Sequence, residues 1–324
     1  MATSKFISWS HSRHELFQKC PRAFFFEHYP WGERDPHEDI LAFLKRGKSI
    51  PLLAGDIVHE QVSLALRCFR DAGAKLSDLA APALRRFDSD LALSLQIAQR
   101  ARKGLKPQQT ANFILDHLVS GERSEAMEEA GRQVIRQCLT NFEASEAWEA
   151  IRATDTSRWQ TFTSTDDRPH FTATADLGFL RSAGVRVYTA FDLTLVDGDD
   201  LVIVDWKSGK KTHETEATTN KQLAGYCLWA ISKGYKKRHV KVQPVYLLYS
   251  EPWKPRSVTR DELTQAIDRI EEHYIRESQL IRRGSDEDWN PAHVADRADF
   301  LPRPHPSRCG SCKFRPVCSA AKPN

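Results

Sequence analysis

The 324-residue chain is 40% hydrophobic and 28% charged, enough apolar material for a packed core, which excludes global disorder. With 15 Gly and 16 Pro it is neither collagen-like nor low-complexity, and at about 150 residues per domain its length suits about two domains. Forty-seven Lys and Arg against 43 Asp and Glu leave a net charge of +4, which permits a polyanionic partner without demanding one. No apolar run approaches the roughly 18 residues of a spanning helix. Residues 1–14 are polar and lack an apolar signal core. These features lead to the expectation of a cytoplasmic protein with no membrane association.

In chain order, residues 8–30 read as a helix, with Ser8 or Ser10 as candidate N-cap and Leu16, Phe17, Phe24 and Phe25 as its apolar positions. Pro21 should break or kink it near Cys20. A second helix spans 54–70, where Ile57, Val58, Val62, Ala65, Leu66 and Phe69 recur at three- and four-residue steps. Helical patterns follow at 91–102, 110–119 and 122–147, interrupted by the Gly104/Pro107 turn. They carry no chemical motif. They read as a helical insertion over 75–155, a candidate partner-docking or strand-guiding surface whose deletion should spare basal activity. From residue 159 the period changes to strands at 159–163, 171–180, 185–196 and 201–206, with turns at 182–184 and 197–200. A helix at 219–232, a strand at 240–250 and an amphipathic helix at 261–283 complete the pattern. The fold class is thus α/β with a mixed sheet. The expected segments are 1–74, 75–155, a core at 156–289 and a terminal segment at 290–324.

Seven cysteines need a chemical explanation. In a reducing compartment, clustered cysteines point to metal or cluster ligands rather than disulfides. Cys68, Cys138 and Cys227 are isolated in largely apolar stretches and read as small core residues. Cys309, Cys312 and Cys318 form C-x2-C-x5-C near the C-terminus, and Cys20 opens the run Cys20-Pro21-Arg22. Four thiolates suit tetrahedral Zn²⁺ on ligand type alone.

The chemically richest stretch runs from Phe191-Asp192 to Asp205-Trp206-Lys207. Asp192 and Asp205 lie on adjacent strands, and Asp205 and Lys207, two apart, share a face. Asp205 follows four apolar residues, where a carboxylate is costly unless it meets a cleft, a metal or a counter-charge. A divalent cation relieves the repulsion of paired carboxylates, and hard oxygen ligands suit Mg²⁺ or Mn²⁺. The plainer reading of these three residues is a half-exposed salt bridge in a hairpin. His59, in Gly55-x3-His59, interrupts an apolar helical stripe and is either a core histidine or a metal ligand. Gln222 and Tyr226 are i and i+4 on the helix that follows.

Taken together, Gly55-x3-His59, Asp192, Asp205-x-Lys207 and Gln222-x3-Tyr226 resemble the PD-(D/E)XK nuclease superfamily, specifically its RecB-like group. With Cys20 and the terminal C-x2-C-x5-C, the chain is similar to the iron–sulfur nucleases, which include CRISPR-associated RecB-like exonucleases and the nuclease domain of the AddB helicase–nuclease subunit. The resemblance runs from Ser8 to Cys318, apart from about 75–155. It implies a restriction-endonuclease-like core of order α-β-β-β-α-β. It also implies a divalent metal held by His59, Asp192, Asp205 and the Trp206 carbonyl, with Lys207 as catalytic lysine. Gln222 and Tyr226 would line the site and contact DNA. Cys20, Cys309, Cys312 and Cys318 would hold a [4Fe–4S] cluster joining the chain ends, with Zn²⁺ as the alternative occupant. One departure is Ala190-Phe191-Asp192, where relatives often carry Gly or Pro before the acid; Asp176 is a rival for that carboxylate.

The implied activity is metal-dependent DNA cleavage, on single-stranded DNA or DNA ends, in repair and recombination, CRISPR adaptation or anti-phage defence. The other reading is a catalytically silent DNA-binding or scaffolding subunit working with a helicase or other proteins. Basic groups at 45–48, 100–103, 210–211 and 233–241 are candidate backbone contacts, the pair Lys210-Lys211 foremost because it adjoins Lys207. Trp206, Tyr226 and Trp229 are candidate base-stacking residues, with core packing the favoured role for Trp229.

Overall fold

The computed structural model describes residues 7–29, 38–103, 113–120, 123–161, 170–173, 185–235, 239–281 and 295–321. Asp176, the turns at 104–107 and 182–184, and most of the strand expected over 171–180 lie outside these residues. The chain divides into two compact units. One comprises residues 1–47, 170–188 and 264–324, and the other 48–169 and 189–263.

The second unit is built on a five-stranded mixed sheet of order β10-β9-β8-β7-β4. The strands are β4 (Gln160–Thr161), β7 (Leu193–Asp197), β8 (Asp200–Lys207), β9 (His239–Tyr246) and β10 (Arg256–Ser257). β7 and β8 form an antiparallel hairpin in which Leu193 faces Val204. Its two-residue loop places Gly198 at φ +57°, a conformation only glycine adopts without strain. β8 and β9 run parallel, so a crossover is required, and helix α9 (His213–Ser232) supplies it. Thr212 and Thr215 cap α9 reciprocally: the Thr215 amide donates to the Thr212 hydroxyl at 3.2 Å and the Thr212 amide to the Thr215 hydroxyl at 2.8 Å. That cap sets the helix start six residues before the onset read from apolar periodicity.

Helices α4 (Ile50–Ala72), α5 (Ala80–Arg102), α7 (Glu125–Ala144) and α8 (Glu146–Arg152) belong to the same unit. Gly131 on α7 lets helices approach closely: a Cβ there would stand 2.6 Å from the Phe87 ring of α5 and 3.1 Å from Ile50 of α4. Phe87, Ile135, Phe142 and Trp148 share one continuous core with Leu193, Val204 and Trp206 of the sheet. The described helices between residues 80 and 152 are therefore no detachable surface. Their apolar faces complete the core beneath the sheet, and removing them would strip it.

The first unit holds a three-stranded sheet of order β1-β6-β5, with β1 (Ile7–Trp9) parallel to β6 (Val185–Tyr188) and β5 (His170–Ala173) antiparallel to it. Residues 7–9 are thus a strand, not the start of a helix, because Ile7 and Trp9 bury alternately against a distant partner strand. Helix α1 (His11–Lys19) starts at Ser10, whose hydroxyl accepts from the Arg13 amide at 3.2 Å. Helix α2 (Pro21–His28) follows after extended Cys20, with Pro21 in its first turn, so the expected break falls at the cysteine. Most of α10 (Arg260–Leu280) and the short helix Pro306–Gly310 belong here too. Phe17, Phe24, Phe25, Tyr29 and Phe300 form an aromatic core, with Phe17 and Phe24 centroids 4.9 Å apart. The strand expected over 185–196 is two strands, one in each unit, and the chain between them departs from ladder geometry at 189–192. Among the described residues no helix is long and apolar enough to cross a membrane.

Candidate active site and cysteine cavity

The second unit gathers every residue of the first motif. Asp192 precedes β7, and its backbone amide donates to the Val204 carbonyl at 3.2 Å, which sets it beside Asp205 across the hairpin. One Asp192 oxygen lies 2.9 Å from His59 Nδ1, and the other accepts from the Trp206 amide at 2.8 Å. His59 reaches it because α4 packs tightly on the turn after β8. A Cβ on Gly55 would meet Ser208 Oγ at 2.9 Å, so the glycine one turn before His59 makes that approach possible.

Asp205 is buried at the end of β8, and its Oδ2 stands 2.5 Å from Lys207 Nζ. Lys207 also donates to Gln222 Oε1 at 2.8 Å, and Gln222 Nε2 donates to the Tyr226 hydroxyl at 2.5 Å. The Tyr226 proton is shared between the Ala190 carbonyl at 2.9 Å and Asp205 Oδ1 at 3.3 Å. This chain explains the i, i+4 spacing on α9: Gln222 aims the ammonium, and Tyr226 anchors Gln222 and the buried carboxylate together. Ala190 is a participant that no sequence pattern marks, because it acts through its backbone carbonyl.

The electrostatics follow from burial and charge. Burial raises the Asp205 carboxyl pKa, Lys207 opposes the rise, and the Asp192 carboxylate adds to it. Burial would lower His59, but the Asp192 charge and hydrogen bond outweigh it, so its pKa is raised. Burial likewise pulls Lys207 down, yet Asp205 leaves it raised and firmly protonated. Tyr226 is raised well above its ordinary value by burial and by Asp205.

These residues fit a divalent cation in kind. Two carboxylates crowd one another, an imidazole adjoins them, and Asp205 Oδ2 is buried without a hydrogen bond of good geometry. Among the described residues, no group of three or more His, Cys, Asp or Glu side chains, the four cysteines of the first unit included, is placed so that it could hold a metal ion. As placed, Asp192 is engaged by His59 and Trp206, and Asp205 by Lys207.

Other expectations need correction. Trp206, Tyr226 and Trp229 are 1%, 3% and 4% exposed, so none offers a ring face for stacking. Trp206 packs against Phe142 at 5.3 Å, and Trp229 against Phe191 at 4.7 Å. Alternation along β8 turns Trp206 away from the site face and into the core. Tyr226 supports the site from within instead of touching a substrate surface. Lys211 is ion-paired with Glu216 at 3.3 Å and with Glu251, so it is less free to grip a phosphate than its position beside Lys207 suggests. Lys48 pairs with Asp56 at 2.6 Å.

In the first unit, Cys20, Cys309, Cys312 and Cys318 line one small cavity of about 30 Å³ together with Arg22, Phe26 and Phe314. All seven cysteines are free thiols. Burial raises the Cys312 pKa, a backbone hydrogen bond at Phe314 opposes the rise, and Cys20, Cys318 and Cys309 add to it. The His305 amide donates to Cys309 Sγ at 3.3 Å. The segments meet without any cofactor through Arg22 to the Phe300 carbonyl, Arg303 to the Gln18 carbonyl and Arg308 to the Lys19 carbonyl, each at 2.8 Å.

The family model for the PD-(D/E)XK nuclease superfamily matches residues 8–319, nearly the whole chain. The chain belongs to the PD-(D/E)XK nuclease superfamily. Among curated proteins, no significant match is found. Superfamily membership implies a restriction-endonuclease-like α/β core, and the mixed sheets of the fold are of that class. It also brings the general character of the superfamily, nucleases that depend on divalent metal such as Mg²⁺ or Mn²⁺.

Proposed function

We propose that this PD-(D/E)XK protein is a Mg²⁺- or Mn²⁺-dependent deoxyribonuclease that hydrolyses phosphodiester bonds in single-stranded DNA or at DNA ends. The observation that carries the reading is the paired network His59–Asp192–Trp206 N and Asp205–Lys207–Gln222–Tyr226 at one end of the β7–β8 hairpin. His59, Asp192, Asp205 and the Trp206 carbonyl would hold the ion. Once bound, it supplies Lewis-acid polarisation of a phosphoryl oxygen and lowers the pKa of water.

The protein's own residues do the rest. Asp205 is buried and its charge is offset by Lys207, so it is poised to exchange that partner for a cation. Lys207 stays protonated and presents a positive charge to the phosphate as negative charge builds up in the transition state. Gln222 fixes where that ammonium points, and Tyr226 fixes Gln222. His59, with its side chain 36% exposed, is more open than Asp192, Asp205 and Lys207.

The four-thiol cavity supports a [4Fe–4S] cluster on Cys20, Cys309, Cys312 and Cys318. Four thiols lining one small cavity are the support for the cluster, and Zn²⁺ is the alternative occupant on ligand type. An intact cluster suits a reducing compartment such as the cytoplasm. Repair and recombination, CRISPR adaptation and anti-phage defence, each with helicase or other partners, are the processes this chemistry would serve.

The test is cleavage of single-stranded DNA, duplex DNA and RNA across a panel of divalent metals, with and without EDTA. Metal-dependent cutting of DNA, strongest on single strands or ends, is expected. Absence of cutting on every DNA substrate with every metal overturns the reading in favour of a silent DNA-binding subunit.

A further inference from the structure

A second polar cavity opens in the second unit, one strand away from Lys207. It occupies about 280 Å³ between β9, β10 and the first turns of α9. β10 covers β9 only at Lys241 and Val242. Beyond them Pro244 has no N–H to offer a further strand, so the ladder stops and the chain at 250–255 bows outward. The floor includes Tyr246, which is in register with Lys207 on the neighbouring strand. The Leu247 amide donates to the Lys207 carbonyl at 2.8 Å, tying this floor to the strand that carries the active site.

The cavity's charges nearly balance. Arg256 is fixed by Glu262 at 2.9 and 3.1 Å and by Asn220 Oδ1 at 2.8 Å. Lys211 is shared by Glu216 and Glu251. Two groups remain available: the Asn220 amide NH₂, its oxygen being committed to Arg256, and the Lys254 ammonium, which has no ion-pair partner among the described residues. Beside them stand the carboxylates of Glu216 and Glu251. A cavity that holds both acceptors and donors at nearly balanced charge is a poor trap for a bare polyphosphate. It is a good match for a neutral heterocycle carrying both kinds of group.

We propose that this cavity seats the base of a nucleotide flanking the scissile phosphate, and that it selects cytosine over thymine. A carboxylate accepts from the cytosine N4 amino group, while the Asn220 and Lys254 donors meet its O2 and N3. Thymine places an acceptor, O4, where cytosine has its amino group and would leave Glu251 facing oxygen. The inference rests on the nuclease reading for the phrase "flanking the scissile phosphate", but the base preference itself can be measured without cleavage.

The experiment uses the full chain carrying Lys207→Ala, in EDTA, with fluorescent oligo-dC and oligo-dT read by anisotropy. Oligo-dC should bind at least about fivefold tighter than oligo-dT, the low end for one good base-edge contact. Adding Glu251→Gln should erase the difference, and adding Lys254→Gln should weaken both oligonucleotides together. Melting curves of each variant check the fold, and Asn220→Asp, which replaces the amide donor by an acceptor, provides an independent arm that should also reduce the dC preference. In parallel, the ends of products cut by the active protein are sequenced: cytosine should be enriched at one position beside the cut, and Glu251→Gln should remove the enrichment. Equal affinity for dC and dT, or a preference that survives Glu251→Gln in a folded protein, overturns the proposal. Cutting without base preference would sink the cavity assignment and leave the nuclease reading intact. Preference in binding without any cutting would do the reverse.

Discussion

Asp205 holds one of the least hospitable positions in the fold, a carboxylate 2% exposed at the end of an apolar strand. Among the described residues its ion-pair partner is Lys207. Removing either partner leaves the other charge buried and uncompensated. Asp205→Asn and Lys207→Ala should each lower DNA cleavage by about 100-fold or more in a single-turnover assay, the range for losing one preorganised charge at a reacting centre. Wild-type rates in both would refute the site assignment. Tyr226→Phe removes the hydroxyl that joins Gln222, Ala190 and Asp205. It leaves the buried Asp205 carboxylate, along with the Gln222 amide, short of a partner and should cost about 1–3 kcal/mol in stability by urea unfolding. Most of these residues were legible from type and spacing alone. Ala190 was not, because a backbone carbonyl has no sequence signature. The burial of Trp206 was missed because stacking and core aromatics look identical in one dimension.

At the level of elements, α4 is the part that makes the site. Its glycine, one turn before His59, sits against Ser208, and the helix is held from behind by α7. Gly131→Ala would drive a methyl group to 2.6 Å from a buried phenyl ring that cannot swing aside. It should destabilise the protein by about 1–3 kcal/mol in urea melts. An unchanged midpoint would mean that the α5–α7 contact gives way freely. The helical pattern of 75–155 was readable, but its role was not: periodicity shows that a face is apolar and does not show which neighbour covers it. Here the neighbour is the sheet itself, so deletion of these helices should abolish folding along with cleavage, measurable as loss of a cooperative transition. The split of the stretch 185–196 into two strands was equally hidden, since both halves are β-like and only their partners differ.

For the whole molecule, the first unit is assembled from three distant segments, and its stability should be sensitive to acid. Burial and the neighbouring His273 lower the His14 pKa from 6.5 to about 4, with Arg269 and His11 adding and Glu15 opposing. The unfolded chain therefore takes up this proton at a higher pH than the folded one does. Stability from keeping His14 neutral is whole above about 6.5 and is lost as pH falls toward 4. Glu277 acts in the same direction. Burial opposes its ionisation, but His273, Arg13 and Tyr29 hold its pKa below 4.5, so its contribution also disappears as pH falls through the folded value. Tm should fall by several degrees between pH 7 and pH 5, and His14→Gln should flatten that slope; a pH-independent Tm would contradict it. Cys312→Ala should abolish any brown absorbance of anaerobically purified protein and lower Tm, whereas an unchanged melting curve would speak against a structural cluster.

The linear chain determined the chemistry by itself. It carried two acids, an imidazole, an amine and four thiols, at spacings that put Asp205 beside Lys207 and Gln222 over Tyr226, because strand and helix periods are local properties of the backbone. Only the tertiary structure decided which of these side chains meet. The His59–Asp192 contact, the convergence of Cys20 with Cys309, Cys312 and Cys318, and the cavity beside Tyr246 all join segments far apart in sequence. Such meetings depend on strand register, crossover and close helix approach, which are set by packing between distant segments and leave no periodic trace in either one.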